Sequence, residues 1–572
     1  MTKYCKPNGH TLLAVTISMA AMAPVNALEF YSAGIEGSVT SQISMGASWR
    51  MEEATDHLTT NPAKVNVNDG DSNYDKGDAI SQIFKGSHDL QVSYENYGAF
   101  VRGKYWYDYA LNNNDVNYGQ TSDGFVPSNS TLDDSEFNDL SKFSGAQILD
   151  AFVYGEFDVA DMPLDVRLGK QVVSWGESTF IWGGVNAINP VDVAAFRRPG
   201  AEIKEGLIPV NMAYANLGLS DLLSVEAFYQ LEFQETVIPG CGTYFSTNDY
   251  APDGCNGVTT AAGVLPRSED NKAKSAGQFG VALRYVSEEL GDTEFGFYAM
   301  NIHSRAPLIN AVISADGDLQ GGKTVGYRVV YPEDLQLAGI SFATNVGSMA
   351  LSGEVTHRKN VGVQIKDDQL ITAALTTGVT GANAPGSAGV LGDMGSVLLD
   401  AKLTSAWDES TATGQAVDVD GFVKHDITQV QVTAVKLIDQ VGPISRIVLL
   451  GEAGYTFVHG FSDAAGEIRH DTSQANITED SWGYRARIIT KFSDVFAGVN
   501  LTPVIAWSHD VKGYSPDPSG NFREGRETLG FTLNADYLAT YNAAISYTQY
   551  GAGDNNNVAD RDFASITVGM SF

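Results

Sequence analysis

Apolar and polar residues alternate along much of this chain. From Ile35 to Trp49 nearly every second residue is apolar or small, and the residues between them are polar. A run of about fifteen alternating residues is far longer than the five or six of an average globular strand. Similar alternation recurs at 89–95, 101–108, 278–285 and 528–537. Long strands with one apolar and one polar face are typical of a barrel with lipid outside and water inside.

Short and long connections alternate between these stretches. Short turns are expected near 96, 159–163, 218–221, 287–292, 344–347, 439–443, 493–496 and 538–540. Long polar stretches lie at about 52–86, 111–146, 176–207, 235–275, 305–333, 360–424, 460–480, 511–526 and 552–560. Together these connections predict an all-β fold, a closed antiparallel transmembrane β-barrel of about 18 strands, and 16 strands would also fit. Both chain ends then lie on the side of the short turns.

The carboxyl-terminal strand supplies a further signal. Residues 564–572 alternate, and Phe572 ends the apolar face. This ending resembles the signal that the bacterial barrel-assembly machinery recognises, which makes that machinery and outer-membrane lipids expected partners. No stretch after residue 27 has the 18 or more apolar residues of a membrane-spanning helix. Closure of the barrel is required because an open sheet edge cannot face hydrocarbon.

The amino-terminal residues predict export. Lys3 and Lys6 precede an apolar run at 11–22, and Val25-Asn26-Ala27 offers small residues at the two positions that a signal peptidase reads. This pattern predicts a signal peptide over 1–27, too short for a membrane anchor, and places the barrel in 28–572.

Charge and cysteine content bear on the possible partners of the protein and on its disulfide bonding. The chain has 69 acidic and 36 basic residues, a formal charge of −33, which makes nucleic acid an improbable partner. Beyond the signal peptide only Cys241 and Cys255 remain, 14 residues apart in a loop-type sequence. An exported chain meets oxidising conditions, so we expect a disulfide. Free thiols or metal ligands are the alternative, but no His lies nearby to complete a metal site.

One connection differs from the other long polar stretches because it is apolar and aromatic. We expect 176–207 to fold into the barrel mouth as a constriction loop; packing on the outer rim is the alternative. Asn189-Pro190-Val191-Asp192 predicts a short helix over about 190–196, with Asn as cap, Pro at its first position and Asp at its positive end. Arg197 and Arg198 would add positive charge to the vestibule. The candidate residues of this loop are Trp175, Glu177, Trp182, Asn189, Asp192, Arg197 and Arg198.

The polar strand faces supply candidate lumen charges. They are Arg102, Lys104, Arg167, Arg284, Glu294, Glu354 and Arg358. Such charges either stabilise the barrel as ion pairs, which we favour, or set selectivity. Two polar loops raise other options. Asn66–Asp78 could hold a cation, but it lacks EF-hand spacing and a terminal Glu, so an ordinary turn sequence is favoured. The stretch 360–424 is expected to be a long flexible extracellular loop.

Catalysis is not expected from these residues. The sequence has no G-x-S-x-G or H-E-x-x-H motif and no zinc cluster, and His303, His357, His459 and His509 are scattered over separate strands. No enzyme activity and no cofactor is therefore predicted.

Several motifs carry a family resemblance. They are RLGKQVVSWGES at 167–178, NAINPVDV at 186–193, RRPGAE at 197–202, GASWR at 46–50, NYDKGD at 73–78, YGAFVRG at 97–103, EAFYQ at 226–230 and GTYFSTND at 242–249. The chain resembles a large family of Gram-negative outer-membrane proteins of unassigned function. The resemblance implies a genetic neighbourhood that includes a periplasmic lipid-carrier-like protein and an inner-membrane exporter, and hence traffic of hydrophobic or amphipathic cargo.

Three functions follow as expectations. The first is a channel for a hydrophobic or amphipathic small molecule. The second is a general diffusion porin that prefers cations because of its acidic vestibule. The third is a structural or adhesive barrel with a filled lumen.

Overall fold

A single closed β-barrel dominates the computed structural model of this chain. The structure describes residues 28–55, 66, 69–120, 127–260, 263–366, 370, 373–375, 397–461, 471–472, 475–516, 520–551, 556 and 558–572. The predicted signal peptide lies outside the described residues.

Eighteen antiparallel strands form the barrel, which confirms the predicted fold class. We number them in chain order: β1 Ile35–Arg50, β2 Ala79–Tyr94, β3 Tyr97–Asp108, β4 Ser144–Val159, β5 Met162–Gln171, β6 Val210–Ser220, β7 Leu223–Gln230, β8 Phe279–Ser287, β9 Thr293–Ile302, β10 Leu335–Val346, β11 Met349–Gln364, β12 Phe422–Val441, β13 Ile444–His459, β14 Asp480–Phe496, β15 Val499–Lys512, β16 Glu527–Tyr537, β17 Tyr541–Tyr550 and β18 Phe563–Ser571. Each strand pairs with the next along the chain.

The last strand closes the barrel on the first. Met45 of β1 lies opposite Val568 of β18, and the backbone groups of Ser41 and Phe572 exchange two hydrogen bonds. A short strand, Leu28–Ser32, pairs with the start of β1 along the same edge, beyond the end of β18. The edge of β1 is thus covered nearly from end to end.

The two faces of the wall differ as the alternation predicts. Outward side chains are apolar and exposed, for example Val153 at 56%, Leu168 at 54% and Ile340 at 55%. Many inward ones are polar and buried, for example Gln429 and Thr433. Such an outer surface suits hydrocarbon, and such an inner surface suits water and polar contacts.

Connections are short at one end of the barrel and long at the other, which we call the short-turn end and the long-loop end. The long connections carry further elements. Helices lie at Asp69–Ser72, Tyr109–Asn113, Val193–Arg197, Ile203–Gly206 and Val397–Thr413, with 3-10 turns at Val185–Ile188 and Gln320–Gly322. Short strand pairs or triplets are Asp115–Val116 with Ser130–Thr131, Gly257–Thr260 with Gly263–Pro266, Asp471–Thr472 with Ala475–Asn476, and Leu308–Ile313 with Val325–Val330 and Val417–Val419. One short turn carries the 3-10 turn Glu288–Leu290.

Loops at the long-loop end pack into apolar clusters of their own. Helix Val397–Thr413 buries Leu403 and Ala406 in a cluster with Ile313 and Tyr327. The predicted flexible loop over 360–424 is therefore corrected for 397–424, because this part buries apolar side chains; residues 376–396 lie outside the described residues.

A second loop cluster contains the cysteines. Cys241 and Cys255 form a disulfide with Cα atoms 5.4 Å apart, and both are fully buried beside Phe137 and Tyr244. In the loop Asn66–Asp78, for which a cation was the less favoured option, residues 67–68 lie outside the described residues. Its Asp71 carboxylate pairs with Arg50 at 2.8 Å and Arg561 at 3.2 Å, so protein cations occupy this acid.

Candidate functional site

The connection between β5 and β6, residues 172–209, lies inside the barrel. We call it the lumen segment. It contacts inward side chains of β11 and β13 on one side and of β2 and β3 on the other. Because these strands are far apart around the wall, the lumen segment crosses the bore, and the residues predicted as a constriction loop at 176–207 lie within it.

Glu452 of β13 holds one part of the lumen segment. Its carboxylate accepts hydrogen bonds from the backbone N–H groups of Thr179, Phe180 and Ile181 at 2.8, 2.6 and 3.0 Å. Thr433 of the neighbouring strand donates a fourth at 3.3 Å. Hydrogen bonds to an ionised acceptor are the stronger kind, so this buried carboxylate is an anchor for consecutive backbone groups.

Glu354 of β11 holds the next part. It accepts from the backbone N–H of Glu177 at 2.7 Å and of Val185 at 3.0 Å, and from the side chain of Gln431 at 2.7 Å. The approach is close: a Cβ atom on Gly184 would lie 1.8 Å from a Glu354 carboxylate oxygen. Any larger residue at position 184 would therefore displace the Glu354 carboxylate from its present contacts.

Ion pairs hold the far end of the lumen segment against β2 and β3. Lys85 pairs with Glu205 at 2.5 Å, and Lys104 pairs with Asp192 at 3.2 Å. All four side chains are largely buried. Breaking a buried pair leaves an uncompensated charge, so these contacts fix the position of the lumen segment.

The helix predicted over about 190–196 begins three residues later and ends one residue later. It spans Val193–Arg197, and the side chain of Asp192 caps it by accepting from the N–H of Ala195 at 2.8 Å. Asn189 is not the cap, because its amide bonds both backbone groups of Val173 instead. Asp192 thus serves both as the cap and as the partner of Lys104.

Trp175 begins the part of the lumen segment that packs on β7. It is 1% exposed, and its indole N–H donates to Glu226 at 2.6 Å. The same carboxylate accepts from Tyr214 at 2.7 Å and from Arg284 at 2.5 Å. Trp175 is therefore a buried structural residue of the lumen segment.

Glu177 is half-buried in the lumen segment. Burial raises the pKa of its carboxyl to about 7; Arg284 lowers this pKa, and Glu294 and Glu354 raise it. Among the predicted loop residues it is therefore the one whose charge changes close to neutral pH.

Arg197 and Arg198 differ in surroundings. Arg197 is exposed, and it donates to the hydroxyl of Tyr550 at 2.7 Å. Arg198 instead donates to the backbone carbonyls of Leu140 and Lys142 and lies over the ring of Trp106. Of the two arginines predicted to add positive charge to the acidic vestibule, Arg197 is thus exposed, and Arg198 is engaged by protein carbonyls and an aromatic ring.

Several apolar side chains of the lumen segment stay exposed despite its position. Trp182 is 40% exposed, Phe196 37% and Ile203 74%, and Phe180 is half-buried beneath Arg487 of β14 at 4.6 Å. Exposed aromatic and aliphatic groups in a polar bore form a surface that apolar parts of a solute can contact.

Most predicted lumen charges take part in protein contacts. Arg102 pairs with Asp89 and Asp150 at 2.8 and 3.2 Å, and Arg284 pairs with Glu226 and with Glu294 at 2.7 Å. Structural pairing therefore accounts for these charges.

Arg358 and Arg167 have other surroundings. Buried Arg358 lies 3.5 Å from the side-chain oxygen of Gln429, beside Gly183 of the lumen segment. Arg167 is exposed between its cross-strand neighbours Tyr154 and Tyr214, and no described carboxylate forms an ion pair with it.

Sequence reasoning missed the anchors Glu452 and Lys85. Alternation alone could have placed both on inward faces, but nothing local marks either as a partner of the lumen segment. It also missed a cluster on the outer wall, where Thr428 bridges His357 and His459 at 3.0 and 2.8 Å. These histidines lie together because their strands neighbour β12.

The described residues offer neither a metal site nor a membrane-spanning helix. They contain no group of three His, Cys, Asp or Glu side chains placed to hold a metal ion. Within the same residues, none of the helices has the length and apolar character needed to cross a membrane.

Comparisons place the chain among known proteins. No curated protein matches the sequence. The fold is similar to OccAB1 of Acinetobacter baumannii (10% identity, 94% of this chain and 96% of that one, TM-score 0.41) and to DcaP of the same organism, described as an outer membrane channel (8%, 95% and 99%, 0.36). It is also similar to OpdK of Pseudomonas aeruginosa, solved with vanillate (9%, 93% and 98%, 0.38).

The family assignment is of a different kind because it rests on the sequence itself. The pattern of one protein family matches residues 8–572, nearly the whole chain, and this confirms the resemblance noted from the motifs. The chain belongs to DUF1302, a family described as proteins of unknown function.

Proposed function

We propose that this chain is an outer-membrane channel that passes a hydrophobic or amphipathic small molecule. The observation that carries the proposal is the lumen segment, which crosses a polar bore and leaves Trp182, Phe196 and Ile203 exposed within it. Exposure of these apolar groups to water is unfavourable. An apolar solute that covers them removes this surface from water, which favours binding.

The size of the barrel supports a path for solutes. Eighteen strands spaced about 4.8 Å apart and tilted by about 40° enclose a cylinder roughly 35 Å across between backbones. A bore of this width is an aqueous channel unless something narrows it. The lumen segment narrows it and supplies the apolar surface at the narrowed level.

Location and assembly follow from the same proposal. The apolar outer wall suits outer-membrane lipids, and we propose export through the signal peptide 1–27 and recognition of Phe572 by the barrel-assembly machinery. A periplasmic lipid-carrier-like protein and an inner-membrane exporter are the proposed partners. Neither enzymatic activity nor a cofactor is proposed, since the cluster of His357, Thr428 and His459 lies on the outer wall, away from the lumen segment.

Two measurements on the full-length protein test the proposal. The first is single-channel conductance in planar bilayers, and the second is uptake of a lipophilic dye and of a sugar of similar mass into proteoliposomes. We expect modest ion current and faster uptake of the dye than of the sugar. Large steady current with equal uptake of both would indicate a general porin, and neither current nor uptake would indicate a filled structural barrel.

A variant makes this test specific to the lumen segment. Deletion of Gly184–Glu202 should raise the flux of the sugar, because it removes the part of the segment that crosses the bore. Heat-modifiable migration on gels checks that the variant barrel has assembled. Unchanged sugar flux in an assembled deletion variant would contradict the constriction.

A further inference from the structure

The lumen wall carries an apolar patch where a polar surface is expected. On β13, Glu452 points inward to the lumen segment, so Leu450 and Val448, two and four residues earlier, share that face. The outward neighbour Leu449 is 38% exposed on the other side of the wall. The inward face of β13 therefore changes from acidic to aliphatic towards the short-turn end.

The neighbouring strands continue the patch at the same level. Leu437 and Val435 of β12 lie opposite Val448 and Leu450, Ile489 of β14 lies opposite Val448, and Val504 of β15 lies opposite Ile489. None of the six side chains is fully buried, and Leu437 is 47% exposed. We call this set the lumen apolar patch: Val435, Leu437, Val448, Leu450, Ile489 and Val504.

Cations border the lumen apolar patch at both edges: Arg446 and Lys491 lie opposite each other towards the short-turn end, where Arg446 pairs with Asp439 at 2.7 Å, and Arg487 lies towards the lumen segment. Arg487 lies directly opposite Leu450, two residues before Ile489 on the same strand, and its side chain is exposed. Its guanidinium stacks on Phe180 of the lumen segment at 4.6 Å. No carboxylate of the described part of the chain forms an ion pair with it, whereas its neighbour Arg485 pairs with Asp510 at 2.7 Å.

The acid diagonal to Arg487 on the same face is already engaged. Glu452 lies opposite Arg485, and its carboxylate oxygens accept the three backbone N–H groups of the lumen segment. These donors offset its charge locally. The donors of Arg487 are therefore left for a solute, next to an aliphatic surface and against the ring of Phe180.

We propose that Arg487 and the lumen apolar patch form a binding site for an alkyl carboxylate. The carboxylate binds the guanidinium, which matches its planar geometry, and the chain lies on the patch, where it is removed from water. This inference deepens the proposed function, on which it rests for the route by which the molecule reaches the site. It names the class of cargo as an amphipathic anion.

Native mass spectrometry of the full-length protein, released from a non-ionic detergent, tests the site with decanoate and with uncharged decan-1-ol as probes. We expect one decanoate to bind, and Arg487→Gln to bind it about tenfold or more weakly, since a charge-assisted hydrogen bond is lost. Binding of decan-1-ol should not change in this variant. Leu450→Asn should weaken the binding of both probes because it places a polar group in the lumen apolar patch.

Arg167→Gln is the matched control. Arg167 is also an exposed inward arginine with no ion pair in the described residues, but it lies against the rings of Phe152 and Tyr214 and not beside the lumen apolar patch. Two results would contradict the proposed site. One is equal decanoate binding by the wild type, Arg487→Gln and Arg167→Gln, and the other is an equal loss of binding in the two variants. Binding is measured here independently of flux. A protein that binds decanoate as expected but does not transport solutes would therefore contradict only the proposed function and not the binding site.

Discussion

The carboxylate of Glu452 accepts the backbone N–H of Phe180 at 2.6 Å, and this contact joins the barrel wall to the lumen segment. The two residues lie 272 positions apart in the sequence. Because the same carboxylate also accepts the N–H groups on either side of Phe180, the wall determines the backbone path of the lumen segment there.

Glu452→Gln should loosen the lumen segment. The amide has one acceptor oxygen in place of two and carries no charge, so buried N–H groups lose partners at a cost of roughly 1–3 kcal/mol. We expect larger and noisier single-channel currents in planar bilayers. Glu294→Gln is the control, because Glu294 pairs with Arg284 and contacts no backbone of the lumen segment. Identical current noise in the two variants would contradict the anchoring role.

Asp192 combines two roles that substitution can separate. Asn can still cap a helix but cannot neutralise Lys104, whereas Ala does neither, and loss of the cap costs about 1 kcal/mol. The amide of Ala195 should therefore exchange hydrogen roughly fivefold faster in Asp192→Ala than in Asp192→Asn. Exchange resolved by mass spectrometry checks this. Equal rates would mean that the hydrogen bond to Ala195 contributes nothing.

Glu177 predicts a pH dependence of ion selectivity. Burial raises the pKa of its carboxyl from 4.5 to about 7, so the group is mainly ionised at pH 8 and mainly neutral at pH 6. The lumen thus loses one negative charge as pH falls, and preference for cations should fall with it. Reversal potentials in a KCl gradient measure this preference. The step between pH 8 and 6 should disappear in Glu177→Gln, and its persistence there would assign it to another group.

The disulfide should stabilise the loops without affecting the bore. Replacing both Cys241 and Cys255 by Ser releases a loop whose closure is worth about 3 kcal/mol in the chain-entropy model. Cleavage by an added protease within 231–278 should become faster, because the buried cluster around the cysteines loosens. Conductance should match that of the wild type. A changed conductance would show that these loops also control the entrance.

Strand number and connection lengths could be predicted from the sequence because both are local properties. The alternation along Ile35–Arg50 can be recognised from neighbouring residues alone, and the turns can be located from the local composition. The same local reasoning placed Arg102, Arg284 and Glu354 on inward faces, where the structure has them. It also identified the one apolar connection as different from the rest.

Contacts between distant residues could not be predicted in this way. Glu452, the partner of Thr179, lies 273 residues away, and no periodic pattern in the sequence indicates such a pairing. The helix cap was misplaced for a related reason. Both Asn189 and Asp192 are good caps, and the choice depends on Val173, which binds Asn189, and Lys104, which pairs with Asp192.

The lumen segment draws its partners from β2 and β3 and also from β11 and β13, so it has no complete docking surface until most of the wall exists. During stepwise insertion, an early sheet would hold Trp175, Ile181 and Ile188 without the side chains that later enclose them. We therefore expect the lumen segment to dock late in assembly, and until the barrel closes its apolar side chains would stay exposed and prone to aggregation.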